Sequence, residues 1–168
     1  MREIDLFSDY NGETTEQLLA LEGRYRTDSI VMAIEQALQQ KVKRLGMNAL
    51  SEAEHTVLAV ESLEREVNNG GYDSFFRHCP EYVPVIVAAL QRISCNDVAI
   101  LTEKAISKVS SRSPLTAADV EAAMEQDDDE RDEELNACDE AYYEMAADFA
   151  EPVLKFVRSH RMKIVLGS

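Results

Sequence analysis

Glu52 and His55 have the Glu-x-x-His spacing of carboxylate-bridged metal sites in helical bundles. Such sites use that pair twice, with two further Glu on facing helices. The other histidines, His78 and His160, have no Glu three residues upstream, so the set is not completed. His78 adjoins Cys79, but chain neighbours rarely face one another, and both precede Pro80 in a turn. Asp127, Asp128 and Asp129 form an acidic run without the D-x-[DN]-x-[DN]-G spacing of a calcium loop. No GxSxG, HExxH, Walker or dinucleotide-binding pattern is present. The three cysteines, Cys79, Cys95 and Cys138, are isolated and odd in number, which suits reduced core residues better than a disulfide framework or a zinc site. The expectation is a non-enzymatic protein with no catalytic residue, no metal and no cofactor.

The least ordinary stretch is EREVNNGGYDSFF, Glu64 to Phe76. A phosphate-cradling loop follows a strand, opens a helix and often carries a lysine. Here the glycines follow a helical pattern and no lysine follows them. Asn and Gly reach positive φ at least cost, which is what a chain needs to fold back at a helix end. The stretch therefore predicts a corner formed by Asn68, Asn69, Gly70 and Gly71. Tyr72, Phe75 and Phe76 then plug it into the core, with Val67 as a packing partner. The alternative is that the polar pair Asn68 and Asn69, with Tyr72, lines a small-ligand pocket.

Helical signals recur along the chain, and no strand alternation appears. A weak helical pattern lies at Thr14 to Glu22. A stronger one runs from Thr27 to Leu45 and stops at Gly46. Ser51 and Glu54 have the form of a capping box before the pattern that ends at NNGG. Further helices are predicted after Pro80 and Pro84, after Asn96 as a cap, and after a cap made by Thr116 with Asp119. A final long helix is predicted from the acidic run towards Arg158, kinked or broken at Pro152. The fold class is all-α, a single compact domain of about six to eight helices with an N-terminal helical extension. The segment 161–168 reads equally well as docked or frayed.

The net charge is −15, and it is unevenly placed. From Asp119 to Glu151 there are 15 Asp and Glu against Arg131 alone, whereas the rest of the chain holds 17 acids and 16 bases. Such a tract repels bare nucleic acid and anionic membranes and attracts basic partners. On one helical wheel Leu135, Cys138, Tyr142, Met145 and Phe149 face inward. Glu133, Glu140, Glu144, Asp148 and Glu151 fall on the opposite side as a carboxylate ladder, and with Asp127, Asp128 and Asp129 they make up the candidate acidic interaction surface. Four residues of helix advance ~6 Å, close to the spacing of phosphates along a strand. The plainer reading is a solvated face that keeps the protein soluble. No apolar run approaches the ~20 residues of a membrane helix, and no signal-peptide pattern opens the chain, so a cytoplasmic location without membrane contact is expected.

The run ALSEAEHTVLAVESLEREVNNGGYDSFF, the proline-containing turn after it, and then VAALQRISC and TEKAIS resemble the DMP-like domain. This is a family of unknown function named after a DNA-mimic protein. The upstream RTDSIVMAIEQALQQKV is also similar, so the resemblance covers residues 24–158. It implies an all-α fold and a division into an extension (1–23), the helical domain (24–160) and a tail (161–168). It supplies no activity. With the acidic tract it points to an interaction protein that docks a basic protein, in its sharper form the DNA-binding face of a regulator. Direct nucleic-acid binding is not expected, and monomer and homodimer both stay open.

Overall fold

The computed structural model describes residues 4–167. Among these are eight α-helices and no strand: α1 (Thr15–Leu19), α2 (Thr27–Leu45), α3 (Glu52–His78), α4 (Val83–Arg92), α5 (Asn96–Val109), α6 (Ala117–Met124), α7 (Asp129–Met145) and α8 (Ala150–Ser159). The fold is all-α. Among the described residues no helix is long and apolar enough to cross a membrane. The chain divides into two compact units, Met1–Leu58 with Asp148–Ser168, and Ala59–Ala147. The first turns of α3 belong to the first unit and the rest to the second.

In the first unit, local chemistry sets the helix ends. Thr14 and Gln17 make a reciprocal capping box on α1. α2 buries Ile30, Ala33, Ile34, Ala37 and Leu38 at helical spacing and stops at Gly46, whose φ of 88° suits a residue without a Cβ. Ser51 and Glu54 cap α3 reciprocally: Ser51 N donates to Glu54 Oε2 (3.0 Å) and Glu54 N to Ser51 Oγ (3.1 Å). α8 packs on α2 with Val153, Leu154, Phe156 and Val157 buried. The segment after α8 is docked. Ile164 and Leu166 are buried, Ser51 Oγ donates to Lys163 O (2.6 Å), and Thr15 Oγ1 donates to Ile164 O (2.5 Å). Glu54, whose side chain is only 1 % exposed, pairs with Lys41 Nζ (2.8 Å) and also accepts from Val165 N (2.8 Å).

In the second unit, α5 packs against α4 and α7 around Leu63, Phe75, Phe76, Ile86, Leu90 and Ala105. Thr116 and Asp119 cap α6 reciprocally. Asn96 does not cap α5; it is the first helical residue, and Cys95 occupies the cap without a side-chain bond.

The long C-terminal helix is not continuous. α7 ends at Met145, Ala146 turns left-handed (φ 46°, ψ 40°), and α8 begins at Ala150. The break precedes Pro152, which lies in the first turn of α8, where a missing N–H costs nothing. Asp148 sets the new start by accepting a hydrogen bond from Ala150 N (2.9 Å). Met145 is 40 % exposed and not part of an inward stripe.

Candidate functional site

The NNGG segment is a kink inside α3. Asn68 and Asn69 are helical and exposed; Gly70 (φ −156°, ψ 19°) and Gly71 (φ 75°, ψ −173°) leave the helical region. The Gly71 conformation is essentially restricted to glycine. The second arm opens at Tyr72, whose N–H donates to Asp139 Oδ1 of α7 at 2.7 Å. A Cβ on Gly71 would stand 2.2 Å from Asp139 Oδ2. Gly71 therefore answers two demands at once: the dihedral and the space for a carboxylate. A broken helix also leaves carbonyls without partners on its first arm. Tyr143 Oη, again from α7, donates to Val67 O at 2.6 Å. The acidic helix thus holds both arms of the corner.

Tyr72, Phe75 and Phe76 are fully buried. The Tyr72 hydroxyl is hydrogen-bonded to Thr102 Oγ1 of α5 (2.9 Å), and its ring meets Tyr142 edge-on at 6.0 Å. Tyr72 is therefore not brought to the surface beside Asn68 and Asn69, as a shared pocket would need. Burial raises the pKa of Asp139, against the hydrogen bond from Tyr72 N, and Asp73 adds to the rise. Burial also pushes the phenols of Tyr72 and Tyr142 well above their ordinary range.

The kink assembles a polar cluster that sequence reasoning missed. Glu66 from the first arm accepts from Ser74 Oγ (2.6 Å) and lies 2.9 Å from His78 Nδ1, while Ser74 Oγ and His78 Nδ1 are 3.1 Å apart. In a nucleophilic relay the serine and the carboxylate sit on opposite ring nitrogens. Here both sit on Nδ1, so the geometry is a clasp across the kink. Burial works to raise the Glu66 pKa, but the bonds from Ser74 and His78 and the nearby charges of His78 and Arg65 leave it lowered. Only the Ser74–His78 spacing of four was available in sequence; Glu66 joins through the kink. Neighbouring Cys79 is buried, and burial first, then Glu81 and Glu66, push its thiol up to about 11. It is a poor nucleophile at neutral pH. Glu52 and His55 sit in the first turn of α3, and among the described residues no group of three or more His, Cys, Asp or Glu could hold a metal ion.

The acidic residues are divided between the units. Asp127, Asp129, Glu130, Glu133, Glu140 and Glu144 are exposed in the second. Asp128 is the N-cap of α7 and accepts from Arg131 N (3.0 Å). Asp148 and Glu151 belong to the first unit, so the expected ladder ends at Glu144. Asp148 caps α8, and Glu151 accepts from Thr27 Oγ1 (2.8 Å). Among the described residues no cation pairs with Glu133, Glu140 or Glu144. Glu134 pairs with Lys108 (3.6 Å). Arg131, the one base in the tract, is 4 % exposed, and its guanidinium donates to Ala123 O (2.8 Å) and Asp132 Oδ1 (3.1 Å). Its charge is turned inward and leaves the outer face acidic. The second unit holds 20 Asp and Glu against 7 Lys and Arg, a net −13; the first holds 12 against 10, a net −2.

The fold and corner define an all-α protein built on a glycine-kinked helix and an acid-rich unit. The chain belongs to the DMP19-like protein family, whose model matches residues 48–160, well over half of the chain. No curated protein and no solved structure matches it.

Proposed function

We propose that the protein is a non-enzymatic interaction module that docks a basic protein surface through the outer face of α7 and the acidic run before it. The observation that carries this reading is the set of unneutralised carboxylates on α7, with Arg131, the one base in the tract, buried rather than among them. Glu140 and Glu144 are separated by about 6 Å along the helix, on the scale of neighbouring phosphates along a strand. A surface shaped to meet phosphates would meet this one, so the partner proposed is the DNA-binding face of a regulator. A unit of net charge −13 repels DNA itself, which leaves direct nucleic-acid binding outside the proposal.

Pull-down from host lysate on immobilised protein tests the reading. The expected result is a DNA-binding protein that survives moderate salt and is released by duplex DNA. The triple variant Glu133→Gln, Glu140→Gln, Glu144→Gln should lose it while keeping its helical circular dichroism, because all three side chains are exposed. Unchanged capture by the variant, or a salt-labile mixture of basic proteins, overturns the proposal.

A further inference from the structure

Residues 163–167 lie outside any helix or strand and are seated on the first unit by side chains from α1, α2 and the start of α3. Burial alternates along them: Ile164 and Leu166 are buried, whereas Lys163, Val165 and Gly167 are exposed. That period of two marks an extended chain with one face turned inward. Its backbone is held at four points. Ser51 Oγ donates to Lys163 O (2.6 Å), Thr15 Oγ1 to Ile164 O (2.5 Å) and Lys41 Nζ to Val165 O (3.2 Å), while Val165 N donates to Glu54 Oε1 (2.8 Å). Main-chain hydrogen bonds, with alternate side chains in pockets, are how proteins hold extended peptides. None of the four bonds uses a side chain of the segment, so the same donors and acceptors suit another extended chain in the same register.

The segment does not fill the groove it lies in. Beside Leu166 is a cavity of about 250 Å³, lined also by Tyr10, Ala37 and Gln40. A cavity of about 150 Å³ already admits a benzene ring. The cations in the lining, Lys41 and Arg44, are engaged within the chain, so the space suits apolar bulk and not an anion. We infer that the groove formed by α1, α2 and the start of α3 binds an extended segment of a partner protein, aliphatic at the Ile164 position and aromatic two residues later. Residues 163–167 occupy that groove as a tethered competitor. A short tether gives the segment an effective concentration of about a millimolar, so a partner displaces it only by binding more tightly. A ring in the cavity is the contact that Leu166 does not make. The groove belongs to the first unit, and the inference is independent of the acidic face of α7.

The probe is a fluorescein-labelled peptide of residues 161–168 carrying Leu166→Phe, titrated with the full chain and read by anisotropy. The full chain carrying Ile164→Asp and Leu166→Asp, which releases its own segment, should bind the probe saturably, one per chain, and at least tenfold more tightly than the wild-type chain does. The unaltered 161–168 peptide should bind that variant more weakly than the probe, and a probe that also carries Ile164→Asp should not bind. Equal affinity of wild type and variant, no saturable binding by a variant that keeps its helical circular dichroism, or no gain from the phenylalanine each overturns the inference. Hydrogen exchange on the wild-type chain tests it should the variant fail to fold. The Val165 amide should exchange at least tenfold faster than the amides of α8, because the segment leaves while the helix stays. Exchange of both at one rate, set by unfolding of the unit, overturns it. A wild-type dimer that Ile164→Asp abolishes would assign the groove to a second copy of the chain and overturn the foreign partner.

Discussion

Gly71 and Gly12 both have positive φ, but the cost of adding a methyl group should differ sharply between them. At Gly12 a Cβ meets nothing within 4 Å, so Gly12→Ala carries only the backbone strain, about 1–2 kcal/mol. At Gly71 the Cβ would drive into the Asp139 carboxylate, and the Tyr72 N–H would lose its acceptor. Gly71→Ala should therefore destabilise by about 3 kcal/mol or more, read by urea unfolding; equal losses in the two variants would show that Asp139 is not what fills the space at the corner. Asp139 and Glu66 also predict opposite responses to acid. Asp139 has a raised folded pKa, so its contribution improves as pH falls through that value. Glu66 has a lowered folded pKa, so its contribution is present above the unfolded value and is lost as pH falls through the folded one. Asp139→Asn keeps an acceptor for Tyr72 N and should steepen acid destabilisation relative to wild type as pH falls through the raised folded value towards the ordinary aspartate range. Glu66→Gln should flatten it. Stability curves from pH 3 to 7 check both signs.

At the scale of elements, the break between α7 and α8 decides which carboxylates can act together. Asp148 and Glu151 are engaged by Ala150 N and Thr27 Oγ1 inside the first unit, whereas Glu140 and Glu144 stand exposed on α7. Replacing Asp148 and Glu151 with Gln should leave partner capture unchanged, while the same change at Glu140 and Glu144 should abolish it. A pull-down with the two double variants in parallel would separate a surface confined to α7 from one that runs on into α8. The break was not legible beforehand because AADF has no strong helix breaker, and Pro152 drew the expectation to itself. Elements whose ends depend on near neighbours were legible: the Ser51–Glu54 and Thr116–Asp119 boxes and the stop at Gly46 each involve residues within a turn. The corner was legible as a corner, because glycine chemistry is local. Its partners were not: Asp139 lies 67 residues from Tyr72 and Tyr143 lies 76 from Val67, and no periodicity carries that distance. The same limit hid the inward turn of Arg131, since a lone base in an acidic helix reads as solvated.

Across the whole molecule, charge is the most uneven quantity, and it acts on stability as well as on partners. The second unit gathers −13 of the −15 total. Its seven bases are partly engaged internally, as Arg131 and Lys108 are, so the repulsion among its exposed carboxylates is left to solvent and salt. Like charges near one another on a helix cost a few tenths of a kcal/mol each when unscreened. At 0.01 M ionic strength the screening length is about 30 Å and the α7 carboxylates repel fully; at 1 M it is about 3 Å, shorter than one step along the helix. The melting temperature should therefore rise between 10 mM and 1 M sodium chloride. Chloride is the suitable anion because sulfate would add its own exclusion effect. The Glu133, Glu140, Glu144 triple Gln variant should start higher at low salt and gain less. If its salt response matched that of the wild type, the repulsion would have to reside elsewhere, in the run from Glu125 to Glu130. In that case the α7 face would already be neutralised, and the charge complementarity behind the docking proposal would weaken with it.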